Sequence, residues 1–134
     1  MTDVVVDTSA VVALLTGESE GGPVAHAIED SDRLLVSAAT LVELGIVLEA
    51  RLGPVGNAVM ERFIRASHLE VVAVDEETAH AAIDGWRRFG KGRHGAGLNY
   101  GDSFVYALAS IAGASVLCVG DDFAKTDVLV VDLT

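Results

Sequence analysis

The sequence has little cysteine, little proline and few aromatic residues. Cys118 is the single cysteine among 134 residues, so it forms neither an internal disulfide nor a thiol metal site. Such low cysteine usage favours a reducing compartment over a secreted scaffold. Because hydrophobic residues make up 51% of the chain, a disordered protein is also excluded.

A long hydrophobic run is also missing. The longest uncharged stretch, residues 103–120, contains serines and glycines and is shorter than the roughly 20 apolar residues that a membrane span needs. It is better interpreted as a buried helix followed by a buried strand. The first residues lack the basic and apolar regions of a signal peptide. We therefore expect a soluble, cytoplasmic protein with one domain over residues 1–134 and no membrane partner.

Basic residues are scarce and unevenly placed. The chain has 20 Asp and Glu against 9 Lys and Arg, a net charge of -11, which argues against a simple DNA-binding module. It does not exclude a nuclease, which needs only a local basic strip. Four of the nine basic residues lie within one short segment: Arg87, Arg88, Lys91 and Arg93. The segment is either an ordinary solvated helix end or a strip that binds RNA phosphates.

Short apolar runs alternate with longer helical patterns along the whole chain. Strands are predicted over residues 4–6, 34–36, 71–74, 115–119 and 128–131. Helices are predicted over residues 9–15, 23–30, 38–51, 54–67, 76–89 and 100–112. Because the strands are continuously apolar, both faces of the sheet should be covered. The pattern indicates an α/β fold, a three-layer α/β/α sandwich with a five-stranded, mainly parallel sheet.

Carboxylates follow two of the predicted strands directly. Asp7 ends the first strand, and Asp121 and Asp122 follow the fourth. Sites in open parallel sheets lie at the carboxyl ends of the strands, so these acids are candidates for one. Taken singly, each has another interpretation, because Asp7 is suited to capping the next helix and Asp121–Asp122 to an ordinary turn.

Two further acids lie on helices that are otherwise apolar. Glu43 has Ala39, Thr40, Ile46 and Val47 as its neighbours one turn away, whereas a solvated carboxylate normally lies on a polar stripe. Asp102 begins a helix that is apolar nearly all round. It is also explained as a helix-start acid, which is worth only about 0.3–1 kcal/mol.

A group of such acids needs a compensating cation. Two carboxylates about 4 Å apart repel by roughly 4 kcal/mol at an effective dielectric constant near 20. Mg²⁺ or Mn²⁺ suits a site made only of oxygen ligands. The four histidines lack the spacing of metal ligands: His26, His68, His80 and His94.

Four segments, in this order and at these intervals, resemble the PIN domain, and in particular the VapC-type ribonuclease toxins of bacterial toxin–antitoxin pairs. They are residues 5–10, 37–44, 100–103 and 120–123. The resemblance implies a Mg²⁺-dependent endoribonuclease. By position, it implies that Asp7 and Asp102 are the principal metal ligands and that Glu43 and Asp121 complete the acidic set. Asp122 is the alternative to Asp121, and Ser9 is implied to support the first ligand.

The same resemblance implies partners. It predicts a homodimer and a cognate antitoxin whose C-terminal segment inserts a basic side chain into the acidic site. The resemblance does not fix the RNA substrate: tRNA is the first candidate, and mRNA and rRNA are the alternatives. The number of metal ions, one or two, is also left open.

Two other functions share part of this pattern. A phosphatase or phospho-acceptor would use Asp7 as its nucleophile. However, the residue two positions after Asp7 is not a second acid. Nor does a lysine directly follow one of the last strands, because Lys125 comes after the turn at residues 120–123. A non-catalytic PIN-fold binding module would have lost at least one acid of the set, and none is missing.

Overall fold

The sheet has four parallel strands. In the computed structural model, which describes residues 2–134, they are β1 (Asp3–Val6), β2 (Arg33–Ser37), β3 (Glu70–Val72) and β4 (Ser115–Leu117). Their order across the sheet is β3-β2-β1-β4, and every neighbouring pair is parallel. The predicted parallel sheet is confirmed. The order in which strands are added reverses at β1, because β2 and β3 lie on one side of it and β4 on the other.

The helices agree closely with the predicted ones. They are α1 (Thr8–Leu15), α2 (Gly21–Asp30), α3 (Ala38–Leu52), α4 (Gly56–Ala66), α5 (Glu76–Phe89) and α6 (Tyr100–Ala112). Single 3₁₀ turns cover Gly53–Val55 and Phe123–Lys125. Pro54 lies in the first of these turns, so α4 begins two residues later than predicted.

Capping residues explain the helix ends. The Ser37 hydroxyl accepts a hydrogen bond from the Ala39 amide at 3.3 Å, and the Asp75 carboxylate accepts one from the Thr78 amide at 2.8 Å. Gly113 ends α6 in the left-handed conformation, with φ of 64°, which favours glycine. The predicted caps at these three positions are confirmed.

Both faces of the sheet are buried, as predicted. Along β1, Val4 and Val6 pack into one apolar cluster and Val5 into a second cluster on the opposite face. Residues of α1, α2, α3 and α4 complete the first cluster, and residues of α6 complete the second. The apolar stretch 103–120 divides into a buried helix and strand. Within residues 2–134, no helix has the length and apolar character needed to cross a membrane.

The predicted fifth strand, residues 128–131, is wrong. This segment meets β4 only at an isolated bridge between Val130 and Val116. The Val116 amide donates to the Leu129 carbonyl at 2.8 Å, and the Val131 amide donates to the Val116 carbonyl at 2.9 Å. The prediction assumed a strand covered on both faces, but the Leu129 side chain is 75% exposed. No continuous ladder forms, so the segment borders the sheet without joining it.

Close packing of α5 on α6 generates a prediction about stability. A Cβ at Gly85 would lie 2.8 Å from Cε2 of Tyr106, so Gly85→Ala forces the tyrosine ring away. We expect a loss of about 1–3 kcal/mol in the free energy of unfolding, measured with urea.

Gly45→Ala is the matched control, because its Cβ would meet only the flexible Met60 side chain at 3.6 Å. That variant should be neutral or gain up to about 1 kcal/mol from helix propensity. Equal stabilities of the two variants would contradict the packing that we describe.

Candidate active site

Asp7 lies at the carboxyl end of β1, where it is 8% exposed. Its Oδ2 accepts hydrogen bonds from the Ser9 amide at 3.1 Å and from the Ser9 hydroxyl, so it caps α1. The Asp7 amide donates to the Leu117 carbonyl at 2.9 Å, which fixes the residue beside β4. The capping interpretation is therefore correct. It does not exclude a second role, because both hydrogen bonds from Ser9 reach the same carboxylate oxygen, Oδ2.

Ser9 connects the two strand ends. Its hydroxyl donates to Asp7 Oδ2 and accepts from the Val119 amide at 3.0 Å. Val119 belongs to the segment that leaves β4 toward Asp121 and Asp122. A single hydroxyl therefore holds the first carboxylate in place and also fixes the loop that carries the last acids.

Glu43 reaches the same edge from α3. The Thr8 hydroxyl donates to Glu43 Oε1 at 2.7 Å, so the residue next to Asp7 in sequence holds the glutamate. A Cβ at Gly101 would lie 3.0 Å from Glu43 Oε2, which shows that the start of α6 lies against this carboxylate. Sequence reasoning found Glu43 from its apolar neighbours. It missed Thr8 and Gly101, because contacts between distant segments leave no local pattern.

Asp102 is fixed by a reciprocal pair of hydrogen bonds with Asn99. The Asp102 amide donates to Asn99 Oδ1 at 2.9 Å, and the Asn99 amide donates to Asp102 Oδ2 at 3.1 Å. This capping box begins α6 and restricts the orientation of the Asp102 carboxylate. The helix-start interpretation is correct here too, and Oδ1 has no donor among residues 2–134.

The carboxylates influence one another electrostatically. The pKa of Asp102 is raised to about 6, mainly by burial, with smaller contributions from the nearby charges of Asp7, Asp122 and Glu43. Burial also raises the pKa of Asp7, with a smaller contribution from Glu43, although the hydrogen bonds from Ser9 oppose the shift. These acids therefore share one poorly solvated edge, as the sequence predicted for Asp7, Glu43 and Asp102.

Asp121 and Asp122 differ in their surroundings. Asp121 has an 80% exposed side chain, and Oδ2 lies 4.0 Å from Lys125 Nζ. The charge of Asp122 contributes to the raised pKa of Asp102. The pKa of the Cys118 thiol is raised to about 12, mainly by burial, and Asp122 makes a smaller contribution to that shift as well. Asp122 therefore lies within electrostatic range of Asp102, whereas Asp121 faces solvent beside a surface lysine.

The acidic cluster consists of Asp7, Glu43, Asp102 and Asp122. Within residues 2–134, no three His, Cys, Asp or Glu side chains stand close enough to enclose a metal ion as they are oriented. One oxygen of each carboxylate accepts a hydrogen bond from the chain in Asp7, Glu43 and Asp102. The second oxygen of each is then the candidate for binding a cation. A donor set made of carboxylate oxygens fits a hard cation such as Mg²⁺ or Mn²⁺.

The basic segment lies at the end of α5 and in the loop that precedes α6. Arg88 is occupied, because its guanidinium donates to the Tyr106 hydroxyl at 3.1 Å and to Asp127 Oδ2 at 2.9 Å. Arg93 donates to the Arg87 carbonyl at 3.1 Å and lies over the ring of Trp86. The described residues show no ion pair for Arg87, Lys91 or Arg93, so these three remain the candidates for phosphate binding.

Comparison with known proteins identifies the family. A family model for the PIN domain matches residues 4–129. The chain is 43% identical over 127 residues to Ribonuclease VapC of Mycolicibacterium smegmatis, covering 95% of this chain and 98% of the relative. This chain belongs to the VapC ribonuclease toxins of the PIN domain family. The resemblance seen in the sequence is confirmed.

Solved structures share the PIN fold of this VapC-family chain. VapC20 of Mycobacterium tuberculosis, described as a sarcin-ricin loop cleaving toxin, superposes with a TM-score of 0.78 at 19% identity, covering 96% of this chain and 98% of VapC20. A toxin–antitoxin complex from Klebsiella pneumoniae contains a chain with a TM-score of 0.72 at 16% identity, with 98% of both chains covered. At these identities the likeness shows the fold alone.

The raised pKa of Asp102 predicts a pH-dependent stability. Between pH 4 and 6 the folded protein binds a proton at Asp102 that the unfolded chain has released, so this group makes stability fall as pH rises. Asp102→Asn keeps an acceptor for the Asn99 amide and removes the charge. We expect the variant to be more stable than the parent above pH 6 without metal, and to lose that advantage below pH 4.

Thermal unfolding in EDTA across this pH range measures the difference between variant and parent. Asp121→Asn is the matched control, because it removes an equal charge from an 80% exposed position. A stability difference for Asp102→Asn that does not change with pH would contradict the electrostatic description of the site.

Proposed function

We propose that the protein is a Mg²⁺-dependent endoribonuclease that hydrolyses RNA phosphodiester bonds as the toxin of a toxin–antitoxin pair. The observation that carries this proposal is the convergence of Asp7, Glu43 and Asp102 on one buried edge of the sheet. Membership of the VapC ribonucleases supports the choice of RNA. A cytoplasmic location is part of the proposal, supported by the single, buried cysteine.

Asp7 and Asp102 are the residues that would hold the metal ion. Each has one oxygen that accepts hydrogen bonds from the chain, and the negative charges of the neighbouring acids, which contribute to their raised pKa values, would favour a cation there. When bound, the ion would polarise the scissile phosphate and stabilise the developing negative charge. Asp122 adds a fourth negative charge at the rim of the site.

Glu43 is suited to orienting the attacking water. Thr8 fixes its Oε1, and Gly101 lets the start of α6 approach its Oε2. A carboxylate held in this way accepts a hydrogen bond from water and can take up its proton. Ser9 acts as a positioning residue, because it holds Asp7 and the segment after β4 at the same time.

The rival interpretation with Asp7 as a nucleophile gains no support. Lys125 lies beside the exposed Asp121, which is outside the acidic cluster. Asp7 is held at Oδ2 by both donors of Ser9. All acids of the cluster are present, so the non-catalytic module is not favoured either.

Two protein partners belong to the proposal. An antitoxin with a basic C-terminal segment complements a chain of net charge -11 and its acidic cluster. The Klebsiella toxin–antitoxin complex, which shares the fold, supports such a partner. A homodimer is supported by Val42 and Ile46, apolar side chains of α3 that are 64% and 65% exposed.

Cleavage of RNA tests the proposed activity. Purified protein with total RNA, tRNA included, should produce new defined ends in Mg²⁺ and none in EDTA. Asp7→Asn should lower the rate by more than the roughly 10- to 100-fold that loss of a supporting group costs a metal site.

Asp122→Asn and Asp121→Asn form a matched pair for the same assay. The first should lower the rate and the second should leave it near that of the parent, because Asp122 raises the pKa of Asp102, whereas Asp121 is exposed and lies near Lys125. Undiminished cleavage by Asp7→Asn, or cleavage that persists in EDTA, would refute the proposed mechanism.

The affinity of the basic segment for RNA should fall as the salt concentration rises. If Arg87, Lys91 and Arg93 contact three phosphates of single-stranded RNA, the log–log slope of affinity against salt should be about −2. Replacing all three with Gln should flatten the slope and leave metal affinity nearly unchanged. Binding is measured in Ca²⁺, which blocks turnover.

Arg88→Gln is the control for this series. Its guanidinium is bonded to Asp127 and Tyr106, so the substitution should lower thermal stability and leave the salt slope nearly unchanged. A triple variant with the slope of the parent would show that RNA lies elsewhere.

A further inference from the structure

A cleft of about 370 Å³ separates α5 from the start of α6. The chain has only seven aromatic residues in total, and three of them line this cleft: Trp86, Tyr100 and Phe104. Tyr100 is 80% exposed and Trp86 is 42% exposed. Large aromatic rings in a chain with so few are normally buried, so their exposure here points to a ligand with a flat face.

The two exposed rings are held in place by their neighbours. Tyr100 meets Phe104 edge to face, with ring centroids 4.9 Å apart, one helical turn along α6. Arg93 lies over the Trp86 ring at 4.8 Å from its centroid. A Cβ at Gly90 would lie 2.8 Å from Trp86 Nε1, so only glycine lets the loop backbone pack this closely on the indole. The rings therefore form a preorganised surface.

The cleft and Asp102 share the first turn of α6. Tyr100 and Ser103 line the cleft from this turn, which also carries Asp102. Tyr100 and Asp102 are two positions apart on the helix, so their side chains leave it on different sides, and an RNA strand that contacts both must pass around the start of α6. A ligand that spans both would place one part against the rings and another beside Asp102.

The rim of the cleft is basic in a chain that is otherwise acidic. Arg93 lies against the Trp86 ring. Arg87, which follows Trp86 in the sequence, is exposed. Aromatic faces beside guanidinium groups are the combination that binds single-stranded nucleic acid, because bases stack on the rings while the cations neutralise phosphates. Because unstacked bases as well as phosphates match this combination, it favours RNA as the occupant.

We propose that the cleft binds one unpaired nucleobase of the RNA, stacked against the exposed rings of Tyr100 and Trp86, while the strand continues around the start of α6 toward the acidic cluster. The inference rests on the proposed ribonuclease function and names the part of the substrate that positions it. The Ser103 hydroxyl donates to the Tyr100 carbonyl at 2.6 Å, so its oxygen remains an acceptor for an amino group of the base. Single-stranded RNA, with its unstacked bases, is the substrate class that fits.

Trp86 is the only tryptophan of the chain and therefore reports on the cleft directly. Oligo(A) and oligo(U) RNA are titrated in Ca²⁺, and both indole fluorescence and the anisotropy of labelled RNA are followed. We expect quenching of Trp86 on binding. Tyr100→Ala should weaken binding about 5- to 150-fold, the range for loss of one stacked base, and Tyr100→Phe should restore it.

Leu129→Ala is the matched control, because it removes a comparably exposed apolar side chain, 75% exposed, outside the cleft. It should bind RNA as the parent does. RNA binding without Trp86 quenching, or equal affinities of Tyr100→Ala and Leu129→Ala, would overturn the proposal. So would a change in sedimentation of Tyr100→Ala with no change in RNA affinity, since a second copy would then occupy the cleft.

Cleavage of total RNA by the parent separates this inference from the proposed function. A parent that cleaves in Mg²⁺ but shows no quenching overturns the nucleobase site alone. A parent that shows quenching and the Tyr100 effect but no cleavage supports the nucleobase site and refutes the nuclease.

Discussion

Repulsion between carboxylates at one poorly solvated edge is the constraint on which the site depends. Asp7, Glu43 and Asp102 come from three distant segments, and Asp102 has its pKa raised to about 6. Each is kept in place by a donor that belongs to the start of a helix: Ser9, Thr8 and Asn99. The bonds at Asp7 and Asp102 also cap helices, so two capping interactions help to hold together charges that would otherwise separate. Capping and a functional role are compatible for these two residues.

The sheet order explains why these segments meet. β1 lies between β2 and β4, so the chain turns in opposite directions on its two sides, and a crevice opens beyond the end of β1. Asp7 leaves β1 directly into this crevice, and Ser9 ties it to the segment after β4. The aromatic cleft lies on the other side of the first turn of α6. One short helical turn thus carries both the carboxylate and the surface that we propose for the base.

Local patterns in the sequence predicted most of this arrangement. The parallel sheet, the helix limits and the caps follow from apolar runs and from capping residues, and the placement of Asp7, Glu43 and Asp102 follows from strand ends and apolar helix faces. The residues missed depend on distant contacts. Thr8 bonds a residue 35 positions away, and the orientations of Asp121 and Asp122 depend on a turn through Gly120, which has φ of 105°. The fifth strand failed for a similar reason, because hydrophobicity does not show that Leu129 lies in solvent.

The most direct test of the central claim is to locate a metal ion. Crystals grown with Mn²⁺ give an anomalous difference signal that marks each bound ion. The account predicts a peak within coordination distance of Asp7 Oδ1 and Asp102 Oδ1, about 2.0–2.2 Å for so small a hard cation. Glu43 should approach this peak directly or through a water. A protein saturated with Mn²⁺ in which no ion lies between Asp7 and Asp102 would contradict the account.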